Sequence, residues 1–169
     1  MRLRPLVLAA GLAAAPLAAA AEEPTGCAAF RWPLESERAA LSAPEKPSVV
    51  NGGALRYDAA LSLKLAPFAE AALPKPPERA PKATPSFAGH FTLAAPTKPG
   101  IYKITLDSDG WIDVVDEDGY LHPKAFSGAL GCQGARKSLK FELLPERAVD
   151  IEISNVKDTA IGVMVTPAE

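Results

Sequence analysis

Apolar and polar residues alternate in short, evenly spaced blocks through the second half of the chain. Ile101-Tyr102-Lys103-Ile104-Thr105-Leu106, Trp111-Ile112-Asp113-Val114-Val115, Lys137 to Leu143 and Val149-Asp150-Ile151-Glu152-Ile153 follow a period of two, and Ile161 to Val165 closes the series. That period belongs to strands with one buried face. Phe87 to Leu93 is a further strand candidate, and Leu61-Ser62-Leu63-Lys64-Leu65 predicts an extended segment over about 55–65. Asp109-Gly110 and Asp118-Gly119 are turn signals, so strands recur about every ten residues. The pattern predicts an all-β fold, an antiparallel β-sandwich or jelly roll. Its core should hold Leu106, Ile112, Val114, Leu139, Phe141, Leu143, Val149, Ile151, Ile153, Ile161, Val163 and Val165.

Ahead of these strands the pattern changes. Residues 22–53 read as an amino-terminal arm with a short helix after Pro33, because Leu34 and Leu41 share a helical face and Glu35 and Glu37 suit its first turn. Pro44 and Pro47 end it, and Asn51-Gly52-Gly53 is a turn signal. The sandwich domain spans 54–169. Within it, Pro74, Pro76, Pro77, Pro81 and Pro85 exclude helix or central strand over 73–85. This segment reads as a stiff polyproline-like connector crossing the sandwich edge, with Lys75, Glu78, Arg79 and Lys82 exposed.

Residues 1–21 read as a secretory signal peptide. Arg2 and Arg4 precede an uncharged apolar run from Leu6, which ends at Ala19-Ala20-Ala21 before Glu22-Glu23-Pro24. The run is short for a membrane span and contains Pro16. The mature chain is therefore expected to be periplasmic or secreted, with no membrane span. Without those residues the net charge moves from −2 to −4, and 148 residues remain. An acidic balance argues against a broad grip on nucleic acid. Export favours pairing of the two cysteines, Cys27 and Cys132, as a disulfide.

Over about 86–166 the layout resembles the bacterial pre-peptidase carboxy-terminal domain, a small secreted β-sandwich. The likeness rests on Phe87–Leu93, Pro99-Gly100-Ile101-Tyr102-Lys103-Ile104, Trp111 to Asp116 before the Asp118-Gly119 turn, and Ile151-Glu152-Ile153-Ser154-Asn155. Such domains accompany secreted hydrolases as accessory or binding modules. The resemblance implies that role here, although none of these 169 residues reads as part of a hydrolase domain.

Three groups of residues could carry chemistry. The acids Asp107, Asp109, Asp113, Asp116, Glu117 and Asp118 suit calcium, with Asp107, Asp109 and Asp113 as the candidate ligands; the structural alternative is turn and strand-surface positions. No other cofactor is expected. His90 and His122 with a nearby acid such as Asp118 could form a two-His, one-carboxylate iron site. Cupin-type jelly-roll dioxygenases, homogentisate 1,2-dioxygenase among them, build sites this way, but their clustered His motif is missing. Trp111 and Trp32 could offer aromatic platforms to a sugar, and Arg136 and Lys137 beside Cys132 could meet an anion. No nucleophile motif of the Gly-x-Ser-x-Gly or His-Glu-x-x-His kind occurs. The expected function is a non-catalytic binding or accessory protein for a protein, envelope polymer or carbohydrate. The alternative is a metal-dependent enzyme using both histidines.

Overall fold

The alternating segments form strands whose apolar faces meet in one core, and all twelve residues predicted for it are buried in a single cluster. The computed structural model describes residues 22–82 and 84–168, so the predicted signal peptide lies outside the described residues. One helix, α1 (Glu35–Leu41), precedes β1 (Ser48–Val49), β2 (Gly53–Leu55), β3 (Leu61–Lys64) and β4 (Ala66–Pro67). Then follow β5 (Phe87–Leu93), β6 (Gly100–Leu106), β7 (Trp111–Asp116), β8 (Gly119–Leu121), β9 (Ala125–Gly128), β10 (Lys137–Leu143), β11 (Val149–Val156) and β12 (Ala160–Pro167).

The strands form an all-β sandwich of two packed sheets. The first runs β1-β3-β12-β6-β10-β9, and the second β2-β5-β11-β7-β8 with β4 also on β5. The sheets are mixed rather than purely antiparallel. β1 pairs parallel with β3, and β2 parallel with β5. Both parallel pairs arise because the chain leaving the arm enters each sheet at an edge. The extended segment expected over 55–65 is broken: Asp58 takes a φ of 59°, a left-handed conformation that Asp tolerates better than most residues. The break sends Leu55 to the second sheet and Leu61 to the first.

The two Asp-Gly signals have different outcomes. Asp118-Gly119 closes the β7–β8 hairpin, in which Asp116 pairs with Gly119. Asp109-Gly110 instead carries the chain from β6 in one sheet to β7 in the other. Gly110 is buried there, and a Cβ would sit 3.2–3.4 Å from the side chains of Val156, Ile153 and Ile161. The short strands β8 and β9 carry no sequence signal, since neither alternates over enough residues to register as a period.

In a two-layer sandwich the outer faces are normally solvated. Here irregular segments cover both. The arm lies on the first sheet, clamped by the Cys27–Cys132 disulfide (Cα–Cα 4.7 Å) and by hydrogen bonds from Gly26 to Leu130 and from Arg31 to Ser127. The Pro-rich segment crosses the outer face of the second sheet, not the sandwich edge. These covers account for the eight buried polar residues among those described. Glu37, Thr105, Ser127, Ser138 and Thr166 lie at the arm, and Asp113, Glu152 and Ser154 at the Pro-rich strap. Among the described residues no helix is long and apolar enough to cross a membrane.

Candidate functional site

Five proline residues deny the strap regular self-pairing, so its backbone N–H groups turn to side chains on the sheet beneath. Lys75 donates its backbone N–H to Glu152 Oε1 (2.7 Å), Glu78 to Asp113 Oδ2 (3.2 Å) and Lys82 to Asn155 Oδ1 (2.8 Å). The Asn155 amide donates back to the Arg79 carbonyl (3.2 Å), and the Tyr120 hydroxyl to that of Pro76. Asn155 reaches the strap from an irregularity in β11, with a φ of 58°.

This docking builds a cleft of about 170 Å³ between the end of the strap, the β6–β7 crossover and the end of β11. Trp111 forms one wall. Its indole N–H donates to Asp113 Oδ1 (2.8 Å), while the other oxygen of that carboxylate holds the strap, so one side chain positions both. The Arg79 guanidinium lies 5.2 Å from the centre of the Trp111 ring, within cation–π range. Lys82, Lys137 and Lys157 also line the cleft, with Asn155 between them. Among the described residues Asp109 is the only carboxylate in the lining.

The charges there are unevenly matched. Lys137 donates to the Gly110 carbonyl and stands 3.5 Å from Asp109. Burial pushes its ammonium below the usual lysine value, against the pull of Asp109. Among the described residues no ion pair takes up Arg79, Lys82 or Lys157. A protein of net charge −2 thus gathers four cations against one acid around an indole.

Comparison of the chain with protein-family models, curated proteins and solved structures yields no match.

The other sequence-predicted site residues are dispersed or already engaged. Trp32 is a pin rather than a platform: its N–H donates to Ser138 Oγ (3.1 Å), Lys140 sits 4.6 Å from its ring centre, and it packs against the cluster of Leu34, Cys132 and Ala135. Arg136 is committed to Glu23 and lies 3.8 Å from Asp109, outside the cleft lining. The three calcium candidates do not converge. Asp107 accepts the Gly162 N–H (2.9 Å), Asp109 is exposed near Lys137, and Asp113 is buried under the strap. Among the described residues no three His, Cys, Asp or Glu side chains gather as a metal site. His90 lies on β5 and His122 just past β8, with β11 and β7 between. Three interstrand steps of about 4.8 Å put their strands about 14 Å apart, too far for the shared site expected from the sequence.

The residues that complete the cleft come from two places far apart in the chain, Arg79 and Lys82 from the strap and Asn155 and Lys157 from the irregular end of β11. Their sequence signal is only that they are polar.

Proposed function

We propose that this protein is an exported, non-catalytic binding module, periplasmic or secreted, that holds an acidic polysaccharide of the envelope or its surroundings in the cleft beside Trp111. The accessory role implied by the likeness to pre-peptidase carboxy-terminal domains is part of the same reading. One observation carries it: Arg79, Lys82 and Lys157, without ion-pair partners among the described residues, line one cleft with Lys137 and a half-buried indole, Arg79 lying 5.2 Å from the ring centre. The cations match carboxylate or phosphate groups on a polymer, and the indole offers apolar area to a sugar face. The intramolecular disulfide suits an oxidising compartment. The metal-dependent alternative draws no support from the spread of His90 and His122.

Polygalacturonate is a suitable probe. The double variant Lys82→Glu/Lys157→Glu should bind it about tenfold more weakly, at roughly 0.7 kcal/mol per reversed surface charge. Binding by the unaltered protein should weaken with added salt, since the cleft is open to solvent. Trp111→Ala, checked for folding by its amide spectrum, should lose retention on the same polymer. Unchanged affinity in the charge-reversed variant, or no retention of the unaltered protein, would remove the basis for this site.

A further inference from the structure

Two of the four cleft cations, Arg79 and Lys82, ride on the strap, which is fastened by a pair of carboxyl groups at Lys75 and Glu78 and by Tyr120 and Asn155 at Pro76, Arg79 and Lys82. Glu152 and Asp113 are directly opposed on the antiparallel strands β11 and β7. Such pairs hold their Cβ atoms about 4.5–5.5 Å apart, where two like charges repel. Both side chains are buried under the strap. Glu152 Oε1 accepts the Lys75 N–H, but Glu152 Oε2 is buried with no partner among the described residues, as are Ser154 Oγ on the same strand face and Nδ1 of His90, directly opposite on β5. A carboxylate with one orphaned oxygen beside a second carboxylate is a place for a proton.

We propose that the strap is a proton-controlled latch: the Glu152–Asp113 pair holds residues 75–82 on the second sheet most firmly at mildly acidic pH and loosens them as the pH rises, carrying Arg79 and Lys82 out of the cleft. The consequence for ligand rests on the binding reading above; the latch itself does not.

The groups facing Glu152 are Asp113 from β7, His90 from β5, Lys75 and Glu78 from the strap, Tyr120 from β8 and Asp150 on its own strand. His122, just beyond β8, is exposed. Burial is the largest influence and pushes the Glu152 carboxyl up to about 7; the Lys75 N–H opposes it, and the charges of Asp113 and Asp150 reinforce it. Burial likewise raises Asp113 against its hydrogen bonds from Trp111 and Glu78. With the strap lifted, Glu152 is solvated and returns toward its ordinary 4.5. Closing the latch therefore takes up a proton between pH 4.5 and 7, so closure is favoured at the acid end and weakens toward neutrality. The limit is about 300-fold across that window; solvent screening reduces the expected effect to roughly tenfold.

Hydrogen exchange of the Lys75 and Glu78 amides, referenced to their intrinsic rates, tests this on the full mature chain from pH 5 to 8. Protection should fall about tenfold with rising pH, while β6 and β10 amides stay level. Glu152→Gln keeps an acceptor for the Lys75 N–H and removes the charge, so its strap protection should be high and flat. A flat profile in the unaltered protein, or the same slope in Glu152→Gln, overturns the latch. If Glu152→Gln does not fold, Asp113→Asn replaces it: the latch requires its midpoint to move to lower pH, and an unmoved midpoint counts against it. Polygalacturonate binding measured over the same pH range separates the two readings. Level strap protection with binding intact refutes the latch alone. A sloping protection profile with no binding at any pH supports the latch and refutes the ligand assignment.

Discussion

Lys103→Met should destabilise the protein by about 3–5 kcal/mol, the range for stripping one partner from a buried ion pair. Lys103 Nζ lies 2.6 Å from Glu37 Oε1, and Glu37, within α1, is only 1% exposed. Thr166 donates its hydroxyl to the same oxygen at 2.6 Å. Burial by itself would raise the Glu37 carboxyl, but the hydrogen bonds from Lys103 and Thr166 outweigh it and hold the group below its ordinary 4.5. A depressed carboxyl contributes stability above its unfolded value and loses it as pH falls through the folded one. Urea unfolding at pH 7 should therefore show the full loss in Lys103→Met. As the pH falls below 4.5 the difference from the unaltered protein should shrink, because protonating Glu37 removes the charge that Lys103 compensates. The double variant Glu37→Leu/Lys103→Met should recover most of the loss, since matched apolar pairs often replace buried ion pairs at little cost. A Lys103→Met variant as stable as the parent would show that the pair does not hold α1 to the sheet. Glu152 has the opposite sign: its raised carboxyl increasingly penalises the closed strap as pH rises from 4.5 to about 7, while Glu37 loses its contribution only below 4.5, so stability should peak in the acidic range near pH 4.5.

Removing the disulfide by Cys27→Ser/Cys132→Ser should cost up to about 4.7 kcal/mol, the chain-entropy value for a loop near 100 residues. The sequence separation is 105. The loss should not be confined to the unfolded chain. Residues 24–34 form no strand longer than the single bridge of Thr25 with Leu130, and their apolar anchor is the small cluster of Leu34, Cys132 and Ala135 with Cys27, Phe30 and Trp32. In the serine variant the arm should fray first. Trp32 fluorescence should then report solvent exposure at denaturant concentrations where β6 and β10 amides are still protected. Simultaneous loss of both signals at the parental midpoint would mean the bridge contributes nothing beyond the local contacts.

Both predictions concern the arm, and the arm marks where the sequence was legible and where it was not. The short helix after Pro33 was readable from Leu34 and Leu41, seven residues apart on one face. Glu37 lies at the third position of that spacing, on the same face, yet as an acid in a first turn it reads as a dipole partner in solvent. Its burial follows only because Lys103 and Thr166, directly paired on β6 and β12, wait on the sheet below. Glu152 is a parallel case. Its alternation with Ile151 and Ile153 assigns it correctly to the outer face, and outer faces are ordinarily wet. Only the strap makes it buried.

The sequence by itself determined the strand rhythm, the membership of the core and the all-β class, because a period of two is a local property and each apolar face must find another. It also pointed to the Cys27–Cys132 pairing, since only two cysteines are available. The tertiary structure alone decided that the sheets are mixed, that the arm and the Pro-rich segment each cover an outer face, and that Arg79, Lys82, Trp111, Lys137, Asn155 and Lys157 meet in one cleft. The physical reason is that a proline-rich segment with unpaired N–H groups carries no periodicity to say where it docks. Its partners, Asp113, Glu152 and Asn155, are acceptors fixed by strand register across positions far apart in the chain.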